Sequence, residues 1–182
     1  NFKKMVMQKN WYAVYTKPQS EKKVAALFTK KKIEVYVPMV HVKTKTFMRN
    51  KFISEPLLKS IVFVNATQEE TVLLKQTNGV INLLHWLGKP AIIAAEEIAA
   101  IRDFIENYRN IKLEPAFVNI DKEVNNFNGS SISIEGKLYS VKNKTVKVNL
   151  PSLGYSLVAE MEEESIFVRD TPVLQNYRFA HS

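Results

Sequence analysis

No cysteine occurs anywhere in the 182 residues, which excludes a disulfide framework, a thiolate metal site, an iron–sulfur cluster and a cysteine nucleophile. Glycine is scarce: Gly79, Gly88, Gly129, Gly136 and Gly154 are all there are. They cannot be arranged as a dinucleotide fingerprint or a Walker loop, so nucleotide-dependent catalysis is not expected. His41, His85 and His181 stand far apart, without the spacing that holds a metal or poises a general base. The acidic run Glu160, Glu162, Glu163 and Glu164 flanks a strand instead of alternating with turn residues, and reads as a solvated strand edge in preference to a divalent-ion site. No apolar run approaches the roughly 20 residues of a membrane helix, and no extended apolar segment follows the opening Asn1–Met7. A soluble, cytoplasmic, non-enzymatic chain with no cofactor, no metal and no membrane partner is the expectation.

What is present is a hydrophobic fraction of 46%, ample for one ordinary domain or two small ones. The net charge of +8 is unevenly spread: residues 1–119 hold 19 Lys/Arg against 10 Asp/Glu, and residues 120–182 hold 7 against 8. The first part carries +9 and the second −1, so the first part suits the neighbourhood of a polyanion and the second meets something else. An ordinary lysine-rich solvated surface explains the charge about equally well.

Trp11–Tyr15 has strand composition, and Ser20 offers a helix cap after Pro18. Val24, Leu27 and Phe28 recur at helical spacing among lysines that suit the helix C-terminus. Val35–Val40 returns as a strand with Pro38 arguing for an edge or bulge. Residues 41–54 continue extended, with Arg49-Asn50-Lys51 as the hairpin tip. Ser60–Asn65 is a brief β-branched run, expected to be the most buried strand. Thr67-Gln68-Glu69-Glu70 has capping-box spacing and opens a short helix carrying Val72, Leu73 and Gln76, stopped by Gly79. Short strands at Val80–Leu84 and Ala91–Ile93 precede a third helix with the stripe Ile98, Ile101, Ile105, Tyr108.

The pattern lapses over 110–119 and then changes to short alternating runs. Asn143-Lys144 reads as a hairpin turn, Pro151–Gly154 as another, and Leu157–Met161 and Ile166–Val168 as further strands. The expected fold class is α+β. A tail over 1–9, an N-terminal domain over 10–109 with a mainly antiparallel sheet and about three helices, a linker over 110–119, a small β-barrel over 120–169 and a tail over 170–182 make up the chain.

Taken together, Trp11-Tyr12-Ala13-Val14-Tyr15, Glu21-Lys22-Lys23-Val24, Tyr36-Val37-Pro38, Glu55-Pro56-Leu57-Leu58-Lys59-Ser60-Ile61-Val62-Phe63-Val64, Gly79-Val80 and Glu96-Glu97-Ile98 resemble the NGN domain of the NusG/RfaH transcription factors. The resemblance runs from Trp11 to about Tyr108. Val124, Gly129, Ile134 and Gly136 resemble a degenerate KOW module, an SH3-like barrel. Tyr15-Thr16-Lys17-Pro18, Gly88-Lys89-Pro90-Ala91 and Ser152-Leu153-Gly154 lean toward the specialised UpxY-type paralogues of capsular polysaccharide operons.

The resemblance implies a monomeric elongation or antitermination factor that lays an apolar patch on the clamp helices of the largest RNA polymerase subunit and opposes pausing or termination. Carried onto this chain, the patch comprises Tyr12, Leu57, Leu58, Ile61 and Phe63, although Ile61 and Phe63 can equally be core. The family commonly writes phenylalanine-proline-glycine-tyrosine where this chain has Leu58-Lys59-Ser60-Ile61, which alters the loop. Lys43, Lys45, Arg49 and Lys51 lie on the hairpin that in relatives faces upstream or non-template DNA; a solvated hairpin is the alternative. Phe47 and Phe52 either stack on unpaired bases or, the favoured reading, pack across the hairpin. Leu153-Gly154-Tyr155 matches the loop that meets Rho or a ribosomal protein. A second function class, a KOW-containing RNA-binding or ribosome-associated protein, accounts for the same barrel and charge. The β-branched run Thr145–Leu150 favours a permanent barrel over a refolding helical form.

Overall fold

The computed structural model describes residues 7–46, 49–116, 131–134, 137–142 and 145–160, with side chains over 7–44, 51–116 and 145–160. The chain groups into two compact units, 1–98 and 99–182, with the division falling inside the third helix. Antiparallel sheets with few helices make up both, a mixed α and β fold.

The first unit is built on β1 (Asn10–Thr16), whose aromatic and β-branched residues suit a pleated, buried strand. β1 pairs antiparallel with β5 (Ile61–Ala66) on one side, and with β6 (Val80–Leu83) and β9 (Ile92–Ile93) on the other. β2 (Glu34–Tyr36) closes the far edge beside β5. The strand expected over Val35–Val40 is in fact two. β2 ends at Tyr36 and β3 starts at Met39, because Pro38 has no N–H to give a ladder.

Period-two alternation divides β1 and β5 between the two sides of the sheet. Tyr12, Val14, Val62, Val64 and Ala66 meet Val24 and Phe28 of α1 (Glu21–Lys30), Leu74 of α2 (Glu70–Lys75), and Ile33 and Leu83 in one core. On the other side Ala13, Phe63 and Ile93 are buried, with Tyr36 stacked on Phe63 at 6.2 Å between ring centroids.

Ser20 sits at the expected cap of α1, but its side chain caps nothing; its carbonyl accepts the Val24 N–H. The capping box at α2 does form. Glu70 accepts the Thr67 N–H at 2.8 Å and Thr67 Oγ1 accepts the Glu70 N–H at 3.3 Å. The inward face of α2 is Thr71 and Leu74, while Val72 and Leu73 point to solvent, which corrects the reading of the helix by Val72, Leu73 and Gln76. Gly79 has φ +94, and a Cβ there would lie 2.9 Å from Val24 Cγ2, so both backbone sign and close packing demand glycine.

β3 (Met39–Thr46) and β4 (Arg49–Pro56) form a two-stranded hairpin, with Thr46 opposite Arg49. Arg49-Asn50-Lys51 therefore lies within β4 and is not the tip. A second hairpin, β7 (His85–Trp86) and β8 (Lys89–Pro90), was not anticipated. It turns through Leu87 at φ +50 and Gly88 at φ +75. α3 (Ala95–Asn107) buries Ile98, Ala100, Ile101 and Phe104 most deeply. Phe104 was absent from the expected stripe, and Tyr108 lies just past the helix against it, 4.6 Å between ring centroids. Burial, with Asp103 nearby adding negative charge, raises the Tyr108 hydroxyl above its ordinary titration range.

The second unit holds a five-stranded antiparallel sheet in the order β10–β14–β13–β12–β11: β10 (Lys112–Pro115), β11 (Ser131–Ile134), β12 (Lys137–Lys142), β13 (Thr145–Leu150) and β14 (Tyr155–Glu160). β10 falls in the stretch read as a linker; it pairs with β14 despite Pro115, which sits at the strand's end. Val146, Val148, Leu150, Leu157 and Ala159 are buried in alternation. The turn Pro151–Gly154 is closed by the Gly154 N–H on Leu150 O at 3.0 Å, with Gly154 at φ +70. Val124, Gly129, Gly136, the turn Asn143-Lys144 and the strand Ile166–Val168 lie outside the described residues.

Candidate functional site

The open end of the first unit's sheet is decided by register. Tyr15 pairs with Ile61 on one side and Asn82 on the other, so all three occupy the side of the sheet opposite Tyr12 and Val14. Tyr15 is 38% exposed and Ile61 half-buried. Leu57, also half-buried, ends the hairpin with its N–H on Pro38 O at 2.8 Å.

Between Leu57 and Ile61 the chain makes a tight loop in which Ser60 takes φ +60. A residue with a Cβ is strained there. Two hydrogen bonds hold it: Ser60 N–H donates to Glu21 Oε1 at 2.6 Å, and Ser60 O accepts the Thr16 N–H at 2.9 Å. Glu21 is a buried carboxylate at the start of α1, so β1, α1 and the loop before β5 are tied together just where Tyr15 and Ile61 meet.

The β3–β4 hairpin pairs with no other strand among the described residues. Lys43 is exposed opposite Phe52, and Lys51 is exposed opposite Thr44. Consecutive residues face opposite ways, so Lys43 and Lys51 lie on different faces. Register sets position 45 in line with 43, and 49 in line with 51.

A NusG family model, described as transcription termination factor nusG, matches residues 9–102, just over half of the chain. The chain belongs to the NusG family. Solved structures similar to this NusG-family chain include Thermotoga maritima NusG, in a study of its domain interaction, at 21% identity. That match covers 86% of this chain and 99% of that one with a TM-score of 0.48. The MjSpt4:Spt5 complex is similar in conformation A, at 20% identity over 82% of this chain and 99% of that one, TM-score 0.32. In conformation B it is similar at 19% identity over 84% and 99%, TM-score 0.32. No curated protein matches the chain. Members of the NusG family are non-enzymatic transcription factors. Among the described residues no three His, Asp or Glu side chains gather where a metal could sit, and no helix is long and apolar enough to cross a membrane.

The five residues expected to form the polymerase patch differ in burial. Tyr12 is 3% exposed, Leu58 1% and Phe63 0%. Tyr12 belongs to the core under α1 and α2, and Phe63 is sealed on the opposite side, so these three are structural. Leu57 and Ile61 are half-buried, and the residue directly opposite Ile61 is the part-exposed Tyr15, which the sequence did not single out. The alternation within Trp11–Tyr15 was the available signal: Tyr12 and Tyr15 cannot share a side of one strand. Also missed were Trp86, 73% exposed, and Leu87, 88% exposed, at the β7–β8 turn. In the second unit Leu153 and Tyr155 are half-buried and Gly154 is exposed in the β13–β14 turn. His41 is exposed. His85 is fixed, its Nδ1 on Leu83 O at 2.6 Å and its Nε2 3.3 Å from Lys75 Nζ.

Proposed function

We propose that this NusG-family chain is an elongation or antitermination factor that binds the clamp helices of the largest RNA polymerase subunit and reduces pausing or termination. The observation that carries the proposal is the Tyr15–Ile61 pair, a part-exposed aromatic side chain directly opposite a half-buried aliphatic one where β1 ends and β5 begins. With Leu57, half-buried where the hairpin ends, they would supply the apolar centre of a protein interface. The polymerase-facing set is thus Tyr15, Ile61 and Leu57, in place of the five residues first expected.

The β3–β4 hairpin, with Lys43 and Lys51 exposed and Lys45 and Arg49 further toward its end, is directed at upstream or non-template DNA. The β13–β14 turn with Leu153, Gly154 and Tyr155 is the docking point for Rho or a ribosomal protein, on a second unit that closes as a KOW barrel. The wording at Tyr15-Thr16-Lys17-Pro18 and Gly88-Lys89-Pro90-Ala91 supports a UpxY-type paralogue acting at specific operons such as capsular polysaccharide loci.

Biolayer interferometry against RNA polymerase from the same source tests the reading. Wild type binds, Tyr15→Asp and Ile61→Asp abolish binding while leaving the circular dichroism unchanged, and both defects persist in the presence of competing DNA. Binding undiminished in both variants removes the patch; no binding by wild type removes the elongation-factor reading. Leu58→Asp is unsuitable, because charging a fully buried side chain unfolds the domain.

A further inference from the structure

Among the described residues the other phenylalanines, Phe28, Phe63 and Phe104, are fully buried. Phe52 is 64% exposed, contrary to the expectation that it packs across the hairpin. Its direct cross-strand partner is Lys43, and the next pair on the same face is His41 with Ser54. All four are exposed. No acidic residue occurs from His41 to Ser54, where Lys43, Lys45, Arg49 and Lys51 contribute four positive charges. The opposite face of the hairpin differs: Val42 opposite Ile53 gives it aliphatic cover, and Val40 opposite Glu55 gives it an acid.

Among the described residues, one face therefore combines an exposed aromatic ring with an adjacent cation, and its cross-strand pairs bring neither an aliphatic side chain to bury the ring nor a carboxylate to repel a phosphate. An apolar protein partner would use the Val42–Ile53 face; a phosphodiester lying along a duplex would need the cations and have no use for the ring. Only a strand whose bases are free can satisfy both at once, since an unpaired base presents its flat face to an aromatic ring while its phosphate lies by the lysine.

We propose that Phe52 is a stacking platform for an unpaired base of single-stranded nucleic acid, with Lys43 holding the adjoining phosphate. The proposal rests on the nucleic-acid reading of the hairpin, not on polymerase binding, and it adds a preference for single strands over duplex. DNA and RNA share the chemistry, so both are tested.

Fluorescence anisotropy of the full chain with short labelled oligothymidine, oligouridine and a duplex of equal length measures it at low salt. Both single strands should bind several-fold tighter than the duplex, or one of them should, which names the sugar. Phe52→Ala should weaken single-strand binding roughly 5- to 100-fold with the salt slope unchanged, and Phe52→Tyr should restore it. Lys43→Gln should lower the logarithmic salt slope by about 0.7 and keep the single-strand preference. The ring is exposed, so none of these changes threatens the fold. Duplex bound as tightly as single strand, Phe52→Leu as good as wild type, or no single-strand binding at all would overturn the proposal. Phe52→Ala without effect, while Lys43→Gln and Lys51→Gln still weaken duplex binding, would remove the stacking role and leave the hairpin's reading intact.

Discussion

Ser60 holds a left-handed backbone, φ +60, that glycine would adopt without strain. Ser60→Gly should therefore stabilise the domain by about 1 kcal/mol, read as a higher midpoint in urea. Removing the tie that holds it should do the reverse: Glu21→Ala leaves the part-buried Ser60 N–H without its carboxylate and should lower stability by about 1–3 kcal/mol. The two tyrosines of β1 separate structure from interaction. Tyr12→Ala opens a cavity in the helix-covered core, at about 3–5 kcal/mol, whereas Tyr15→Ala should leave the urea midpoint nearly unchanged and act on polymerase binding. Equal destabilisation by both would mean that Tyr15 is packed, not presented. Gly79 and Gly88 form a second contrast. Alanine at 79 meets both a positive φ and Val24 at 2.9 Å, but at 88 it meets the positive φ alone, so only Gly79→Ala should be severe.

At the level of elements, the β3–β4 hairpin stands apart because neither strand has a further partner among the described residues. Its ladder is anchored at Met39 and Pro56, where Leu57 N–H reaches Pro38 O, and runs outward from there. Amide hydrogen exchange should reflect this: protection in β5, an inner strand with pairing on both edges, should exceed that in the outer half of the hairpin by orders of magnitude. Comparable protection would imply a partner surface for the hairpin. The reciprocal bonds between Thr67 and Glu70 make the start of α2. Thr67→Ala should lower stability by about 1 kcal/mol, while Val72 and Leu73, which face solvent, tolerate polar replacement. Helical period alone did not predict which pair faced inward; the six-residue helix is too short for period to choose between adjacent apolar residues.

On the scale of the whole molecule, charge and fold divide at similar places. Residues 1–119 carry +9 and residues 120–182 carry −1, and the chain divides between the compact units within α3. Salt should therefore weaken nucleic-acid binding through the first part only. A full-length chain with the four hairpin cations at 43, 45, 49 and 51 replaced by glutamine should lose most of its salt dependence, and charge changes in the β13–β14 turn should not touch it. A salt slope unchanged by the four replacements would place the polyanion contact elsewhere.

The strands β1, β5 and β13, the helices α1 and α3, the capping box and the NusG-family resemblance were legible in the sequence, because period, β-branching and local hydrogen-bond chemistry act over a few neighbouring residues. So was the division between a basic first part and a near-neutral second. The sequence could not show that Lys112–Pro115 joins the second sheet, for its partner lies beyond the next three strands, and it did not show the β7–β8 hairpin, whose strands are two residues each. Nor could it separate Tyr12 from Tyr15 by chemistry. The side that α1 and α2 cover made one tyrosine core, and cross-strand register with Ile61 left the other open, because which face of a sheet meets water depends on what the distant helices bury.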